Sequence, residues 1–473
     1  MNILKLQNQY SWLQSDERDI KDLLWTKLRF REKNYYHSSL YKQKKWDGYK
    51  EFFKKESGRF LTGLLPEVLL ALTHLKREYH ILDERSPFKF ATTKIDKNFL
   101  NQWAPEGKEV TLHDYQVDII EKMSQAHRGL VVAPTGAGKT YIIIAGLKCL
   151  PPKCPTVVLT KNVDLARQIY ADLGEWKFPR LGRVLGGKKP VFEPGLITVA
   201  NIDSIHKMEK LLPHIRAVFV DEIHIMMSAV PCTAYRKMPN AYVRFGISAT
   251  PFKFGGTDTC QRYDTKGHFG PVIRPFGGNL TTKELQDRKI LAPSKCVFYP
   301  IHEPMLPYET YQDATTLGIA ENLHFNTIVA KLAKKIGGRT LIIVERIKHG
   351  EMLHALIPGS KWVYGQDGEK ARDEMKAALQ KGEKAVCIVQ QQLISAGINV
   401  FIHNLINAMG SKATHHLIQR LGRGLRKADD KDILNYYDFT HYTNDYLYSH
   451  SLLRLKTFRD EGHEVIEKDE VDF

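Results

Sequence analysis

Residues 130–140 read LVVAPTGAGKT, and the fold is decided there. The β-branched run LVVA at 130–133 ends in a glycine-bearing loop, and TYIIIAGLKCL at 140–150 continues as an apolar helix. Strand, tight loop and helix in that order form the context of a phosphate-binding P-loop. Gly136 and Gly138 allow the loop to curl until its backbone N–H groups face inward on an anion. The helix N-terminus adds partial positive charge. In such a loop Ala133, Pro134, Thr135, Gly136, Ala137 and Gly138 make the cradle. Lys139 reaches the β- and γ-phosphates, and the Thr140 hydroxyl can ligate Mg²⁺.

Working outward, short apolar runs alternate with helical segments: TVVL at 156–159, LITVA at 196–200, AVFVD at 217–221 and FGISA at 245–249. Continuous apolar strands alternating with helices imply a parallel sheet covered on both faces. The pattern pauses over the Gly-, Pro- and Thr-rich residues 251–290. It resumes with TLIIV at 340–344, WVYG at 362–365, AVCIV at 385–389 and LINAM at 405–409. The expected fold is therefore α/β, with two tandem P-loop-type domains at 106–290 and 291–473. A small α/β module at 1–105 precedes them. In AVFVDEIH, Asp221 and Glu222 stand at the carboxyl end of a strand, the edge where ligands of such sheets bind. With a P-loop upstream, Asp221 is expected to hold Mg²⁺ and Glu222 to polarise the water that attacks the γ-phosphorus.

Composition sets the outer bounds. The chain has 473 residues, 43% hydrophobic and 26% charged, which is ordinary for a globular protein of two to four domains. A net charge of +16 and a pI near 9.3 point to a polyanionic partner, by default nucleic acid. No apolar run approaches the roughly 20 residues that cross a bilayer. The start, MNILKLQNQYSWLQSDERD, has no apolar core behind a basic stretch, so neither membrane nor secretion is expected. Six cysteines without a CxxC pair read as reduced, buried thiols of a cytoplasmic protein.

In the first module, a charged helical stretch is expected first. Strands around Ser57-Gly58, an apolar helix over 65–75 and a short strand over 79–82 should follow. Residues 21–60 carry twelve Lys/Arg against five Asp/Glu, interleaved with Trp25, Phe30, Tyr35, Tyr36, Tyr41 and Trp46. Such a mixture could grip phosphates and stack on bases. The preferred reading for most of these aromatics is the module's own small core.

With P-loop and acid pair in place, residues 106–440 resemble superfamily 2 helicases of the DExH type, with two RecA-like domains. LHDYQ at 112–116 resembles the segment in which a Gln recognises adenine, which maps to Gln116. LTKNVDLARQ at 159–168 and VANIDSI at 199–205 resemble strand-gripping motifs, implying DNA contacts from Lys161, Asn162, Gln168, Asn201 and Ser204. SAT at 248–250 resembles the coupling motif, with Ser248, Thr250 and His224 linking the γ-phosphate to strand movement. SAGIN at 395–399 resembles motif V, contributing Gly397 and Asn399, although Asp is common where Asn399 stands. QRLGRGLR at 419–426 fits the pattern of motif VI, with Gln419, Arg423 and Arg426. Arg423 and Arg426, three apart, share one helix face. Guanidiniums so placed can reach a bound phosphate and stabilise charge in the transition state.

KKWDGYKEFFKKESGRFLTGLLPEVLLAL at 44–72 and the tail at 436–465 resemble UvsW-type phage helicases in particular. That resemblance implies an ATP-driven motor on branched or forked DNA, without sequence preference and tracking 3′ to 5′. Lys44, Lys45 and Trp46 would belong to its DNA-binding face. It also implies a location in the cytoplasm of a bacterial host; oligomeric state is left open, a monomer being the simplest case. The alternatives are an RNA helicase, a duplex translocase that separates no strands, and a scaffold with an inactive P-loop. The acidic end EKDEVDF reads as a solvated tail rather than a fused nuclease.

Overall fold

The computed structural model describes the chain except residues 1, 89, 91–93, 135, 179, 188, 194, 253–257, 279, 306, 308–309, 368, 382–383, 396–401, 412–432 and 461. The side chains of 369, 381, 394 and 395 are likewise not described. The chain divides into two compact units. One comprises Met1–Ala133 and Gly138–Asn279, the other Pro134–Ala137 and Leu280–Phe473.

The first unit is built on a seven-stranded parallel sheet. Across it run Leu181–Val184, Ile197–Asn201, Thr156–Thr160, Ala217–Asp221, Val243–Ser248, Arg128–Val132 and Val272–Ile273. The central strands are buried along their whole length because helices cover both faces. Helix Lys139–Lys148 is buried nearly all round, from Ile142 to Leu147, as its apolar sequence requires. Each fully buried Val, Ile, Leu or Phe here contributes about 1.5–3 kcal/mol of transfer free energy.

The N-terminal module packs on this domain. Its sheet joins Phe53–Lys54, Arg59–Leu61, Tyr10–Gln14, Ile3–Leu6 and His80–Asp83, with helices Arg18–Lys27 and Leu65–His74 closing a core around Leu4, Leu13, Phe53, Phe60 and Val68. The chain therefore opens with two strands rather than a charged helix. In ILKL and YSWLQ alternate residues turn inward, a period of two that polar neighbours disguise.

The expected pause over 251–290 contains helix Thr259–Phe269, which is the docking element for the module. Tyr263 packs against Phe30 with ring centroids 4.5 Å apart, Lys50 pairs with Asp264 at 2.9 Å, and Lys266 with Glu67 at 2.8 Å. Gly63 lies so close to the helix that any added side chain would overlap the Lys266 carbonyl. Buried Arg128 donates to the Asn8 carbonyl at 2.6 Å. Burial and the neighbouring Arg244 lower the Arg128 guanidinium to about 9.

The second unit carries another seven-stranded parallel sheet, in the order Lys361–Val363, Ala385–Gln390, Arg339–Val344, Asn404–Asn407, Leu434–His441, Ser294–Ile301 and Glu464–Glu467. Helices Leu323–Ile336, Ile347–Leu356 and Asp445–Asp460 pack its faces. All six cysteines are buried thiols. Among the described residues, no helix is long and apolar enough to cross a membrane.

Candidate active site

Three neighbouring parallel strands of the first sheet end together. Arg128–Val132 leads into the glycine loop, Val243–Ser248 ends at Ser248, and Ala217–Asp221 delivers Asp221 and Glu222. Val132 is in register with Ser248, and the Ala133 N–H donates to the Ser248 carbonyl at 3.1 Å. Gly136 and Gly138 have φ of +86° and +74°, a conformation glycine adopts at no steric cost, and helix Lys139–Lys148 starts directly after them. Thr140 lies in its first turn.

Glu222 is a non-glycine residue at φ +52°, which costs on the order of 1–3 kcal/mol and marks a site held by its surroundings. Its N–H is fixed by Asp221 Oδ1 at 3.0 Å. Its carboxylate meets Lys139 Nζ at 2.7 Å through Oε1. Oε2 accepts from the Ser248 hydroxyl at 3.3 Å and lies 3.4 Å from His224 Nδ1. His224 Nδ1 and Ser248 Oγ are 2.8 Å apart, and the Thr250 N–H donates to Ser248 Oγ at 3.2 Å. Five of the residues named from sequence, Lys139, Glu222, His224, Ser248 and Thr250, thus form one hydrogen-bonded chain. Lys139 and Glu222 side chains are only 13% and 16% exposed, so water screens their attraction far less than it would on an open surface.

Gln116 is buried in the first turn of helix Asp114–Ala126, where its Oε1 accepts from the His113 N–H at 2.9 Å. Its amide lies against Gly138, and a side chain there would collide with it. Asp221 is 7% exposed. Among the described residues no group of three or more His, Cys, Asp or Glu is assembled for a metal. The oxygen-only set of Thr140 hydroxyl and Asp221 carboxylate suits Mg²⁺, which takes most of its ligands from phosphate and water.

The residues expected to grip a strand fall into two kinds. Asn201 and Ser204 are buried. Asn201 donates to the Lys161 carbonyl and accepts from the Asp203 N–H at 3.1 Å, so it braces one loop against the next. Lys161 pairs with Asp203 at 2.8 Å on the surface, an acid that sequence reading passed over. Asn162 stands at the N-cap position of helix Val163–Glu175, and Gln168 sits half-buried on it. In the module, Lys44, Lys45 and Trp46 line an open groove with Tyr36, Tyr41 and Lys42. Beside it Arg29 lies over Trp25 and Tyr49 at 4.4 and 4.2 Å, and Arg31 over Tyr35 and Tyr49 at 4.7 and 4.9 Å. The aromatics therefore split: Trp25 and Phe30 pack on the core, whereas Tyr36 is 51% exposed. Thr135, Gly397, Asn399, Gln419, Arg423 and Arg426 lie outside the described residues.

Two family matches fall on this framework. Residues 109–253 match the family described as Type III restriction enzyme, res subunit, and residues 323–428 match Helicase conserved C-terminal domain. With these two helicase-type domains the chain is an ATP-hydrolysing DNA helicase, and it resembles those of superfamily 2. It resembles the ATP-dependent DNA helicase uvsW of Enterobacteria phage T4, with 21% identity over 397 residues, covering 76% of this chain and 78% of that protein. It is also similar to the DNA 3′-5′ translocase XPB2 of Sulfurisphaera tokodaii, with 25% identity over 417 residues, 74% of this chain and 87% of the relative. In fold it is similar to the DNA-bound Type ISP restriction-modification enzyme LlaBIII, at 14% identity and a TM-score of 0.55, over 76% of this chain and 31% of that one.

Proposed function

We propose that the chain is a DNA motor that couples ATP hydrolysis to movement along branched or forked DNA, tracking 3′ to 5′. The observation that carries this reading is the chain Lys139–Glu222–Ser248–His224 at the end of three adjacent strands. In it a phosphate-binding cation, a base and a relay to the next loop already touch. A triphosphate entering the glycine loop competes with Glu222 for Lys139. Once released, Glu222 orients water toward the γ-phosphorus. Loss of the γ-phosphate restores the Lys139–Glu222 pair, and Ser248, Thr250 and His224 pass that change along the chain. Thr140 and Asp221 would hold Mg²⁺, which neutralises charge on the phosphates when bound. Ala133, Pro134, Thr135, Gly136, Ala137 and Gly138 form the cradle, and Gln116 reads the adenine edge.

From the second unit, Arg423 and Arg426, supported by Gln419, supply positive charge to the transferring phosphoryl group. Gly397 and Asn399 belong to the coupling path. On the DNA side, Lys161, Asn162 and Gln168 contact backbone, with Asn201 and Ser204 shaping their loops. Lys44, Lys45 and Trp46 hold a second arm of a junction. Contacts of this kind go to phosphates, so affinity falls steeply with salt and ignores sequence. The UvsW and XPB2 relatives support the DNA substrate, and the name of XPB2 supports the direction. The protein would work in a host cytoplasm, its oligomeric state left open.

The test is phosphate release by the whole chain with Y-forks, four-way junctions, linear duplex and RNA, beside a Lys139→Ala control. Stimulation is expected to be greatest with branched DNA. Greater stimulation by RNA would replace DNA as substrate, and release no faster than the control on every polymer would remove the motor reading.

A further inference from the structure

In the N-terminal module, the loop between Arg29–Arg31 and Tyr49–Glu51, the two strands of an antiparallel ribbon, holds a cavity of about 690 Å³. Tyr36, Tyr41 and Trp46 line it together with Lys42, Lys44 and Lys45. The three lysines are exposed and none of the three rings is buried. The acid of the lining, Asp47, is already engaged: its carboxylate pairs with Arg29 and accepts from the Tyr49 N–H at 3.0 Å. The groove therefore presents positive charge and open ring surface together.

The rings are held in place before any ligand arrives. Trp46 Nε1 donates to the Tyr49 carbonyl at 2.7 Å. Tyr41 and Tyr36 meet Tyr35 edge to face, with centroids 4.7 and 5.7 Å apart, and the Arg31 guanidinium covers Tyr35 in turn. The ribbon itself is fixed to helix Thr259–Phe269 of the first motor domain. Besides the Phe30–Tyr263 and Lys50–Asp264 contacts, Cys260 Sγ donates to the Phe30 carbonyl at 3.4 Å. Groups preset on a rigid support lose little freedom on binding. Lysines alone would suffice to grip the phosphates of a duplex. Ring surface left unburied adds nothing to that grip, because a duplex covers each base face with the next pair. On an unpaired strand the faces are free, and stacking on aromatics accompanies the phosphate contacts whatever the base.

We propose that this groove anchors an unpaired DNA strand, one or two of its bases stacking on Tyr36, Tyr41 and Trp46 while Lys42, Lys44 and Lys45 hold the adjoining phosphates. The proposal deepens the reading of the groove as a DNA-binding face and rests on DNA being the substrate. The cavity falls within the roughly 300–1,000 Å³ of pockets that hold small organic ligands, which suits a base or two rather than a duplex end. Because the ribbon packs on the first motor domain, a strand held there travels with that domain.

The experiment measures binding of the full chain, without nucleotide, to two Y-forks that differ only in the second arm, single-stranded in one and duplex in the other. The motor meets the same first arm in both, so the difference in affinity reads the groove. Wild type is expected to bind the fork with two unpaired arms about tenfold more tightly. Tyr36→Ala with Trp46→Ala should erase that preference and leave affinity for the other fork unchanged. 2-Aminopurine in the second arm, whose fluorescence falls on stacking, should be quenched by wild type and recover with the variant. No preference in wild type, an undiminished preference in the variant, equal weakening of both forks, or no quenching along the arm each overturns the proposal. Trp46 also supports the ribbon through Tyr49, so Tyr36→Ala alone, at a ring 51% exposed, serves where the double variant does not fold. It should cut the preference about threefold or more and Tyr36→Phe should restore it, whereas wild-type preference in Tyr36→Ala overturns the proposal. Tighter binding of single-stranded RNA than of either fork would instead overturn the DNA reading beneath it.

Discussion

Numbered in chain order within each sheet, the strands of both parallel sheets run 3-4-2-5-6-1-7. The equivalent ends can therefore be compared residue by residue. In the first sheet, strand 6 ends at Ser248, in register with Val132 of strand 1; in the second, it ends at His441, in register with Ile301. Strand 1 of the first sheet is followed by the glycine loop, and strand 1 of the second by His302-Glu303-Pro304. After strand 5 the first has Asp221 and Glu222, and the second has Asn407 followed by Ala408 and Met409. Charge at the first edge is partly reachable, the Lys139 and Glu222 side chains being 13% and 16% exposed. In the second sheet, Asp438 and Arg454 neutralise each other in the interior. Topology thus supplies the location, and the side chains at the strand ends decide whether a ligand's charge is accepted there.

The largest expected effects test that division directly. Lys139→Ala should lower DNA-stimulated ATP turnover by about a thousandfold or more and weaken nucleotide binding as well. Arg423→Ala should lower turnover by about a thousandfold with nucleotide affinity nearly intact. Fluorescent-nucleotide titration beside steady-state phosphate release separates the two. Equal loss of affinity in both variants would mean the two units do not divide the work in this way.

Acid should distinguish the units next. Burial holds His349 and His441 down at about 3 and His463 at about 4 in the second unit; in the first, His268 is pushed well below 6.5 and half-buried His127 is lowered. Each is neutral in the fold but takes a proton in the unfolded chain below pH 6.5. Their contribution is therefore complete above that pH and is lost as pH falls toward the folded value, by up to about 1.4 kcal/mol per pH unit for each fully buried ring. Hydrogen exchange between pH 7 and 5, corrected for intrinsic rate, should show the second sheet loosening more than the first. Greater loosening of the first sheet would contradict the burial argument.

A smaller effect is expected at the relay. His224→Ala should reduce strand separation about 3- to 30-fold more than ATP turnover, since it removes a link rather than a reacting group. Parallel loss of both activities would place His224 in the chemistry itself. The smallest effect belongs to the module's groove: Lys44→Ala with Lys45→Ala should weaken fork binding a few-fold and reduce the salt slope by about two. An unchanged slope measured by anisotropy across a salt series would remove those lysines from the DNA face.

Much of the first sheet was legible because its strands are fully buried and read as continuous apolar runs, and LVVAPTGAGKT carries strand, loop and helix in one contiguous stretch. Other strands were not. Ser294–Ile301 contains Lys295 and Pro300, Leu434–His441 is broken by Asn435 and Asp438, and Ile3–Leu6 alternates over only four residues. Polar residues inside such strands are tolerated because partners distant in sequence satisfy them, as Arg454 satisfies Asp438. The docking helix Thr259–Phe269 gives no strong apolar stripe, since half of what it meets is salt bridges and close glycine packing.

By itself the sequence determined the chemistry on offer: a glycine loop fixes local backbone, and a loop residue's identity survives any fold that keeps strand and helix beside it. Only the tertiary structure decided which of these groups touch. Lys139 and Glu222, far apart in sequence, meet because two strands of one sheet end near each other, and Gly63 meets Lys266 because a helix from the motor domain carries the first module. Such contacts are set by the summed packing of many apolar residues, no one of which signals the pairing it enforces.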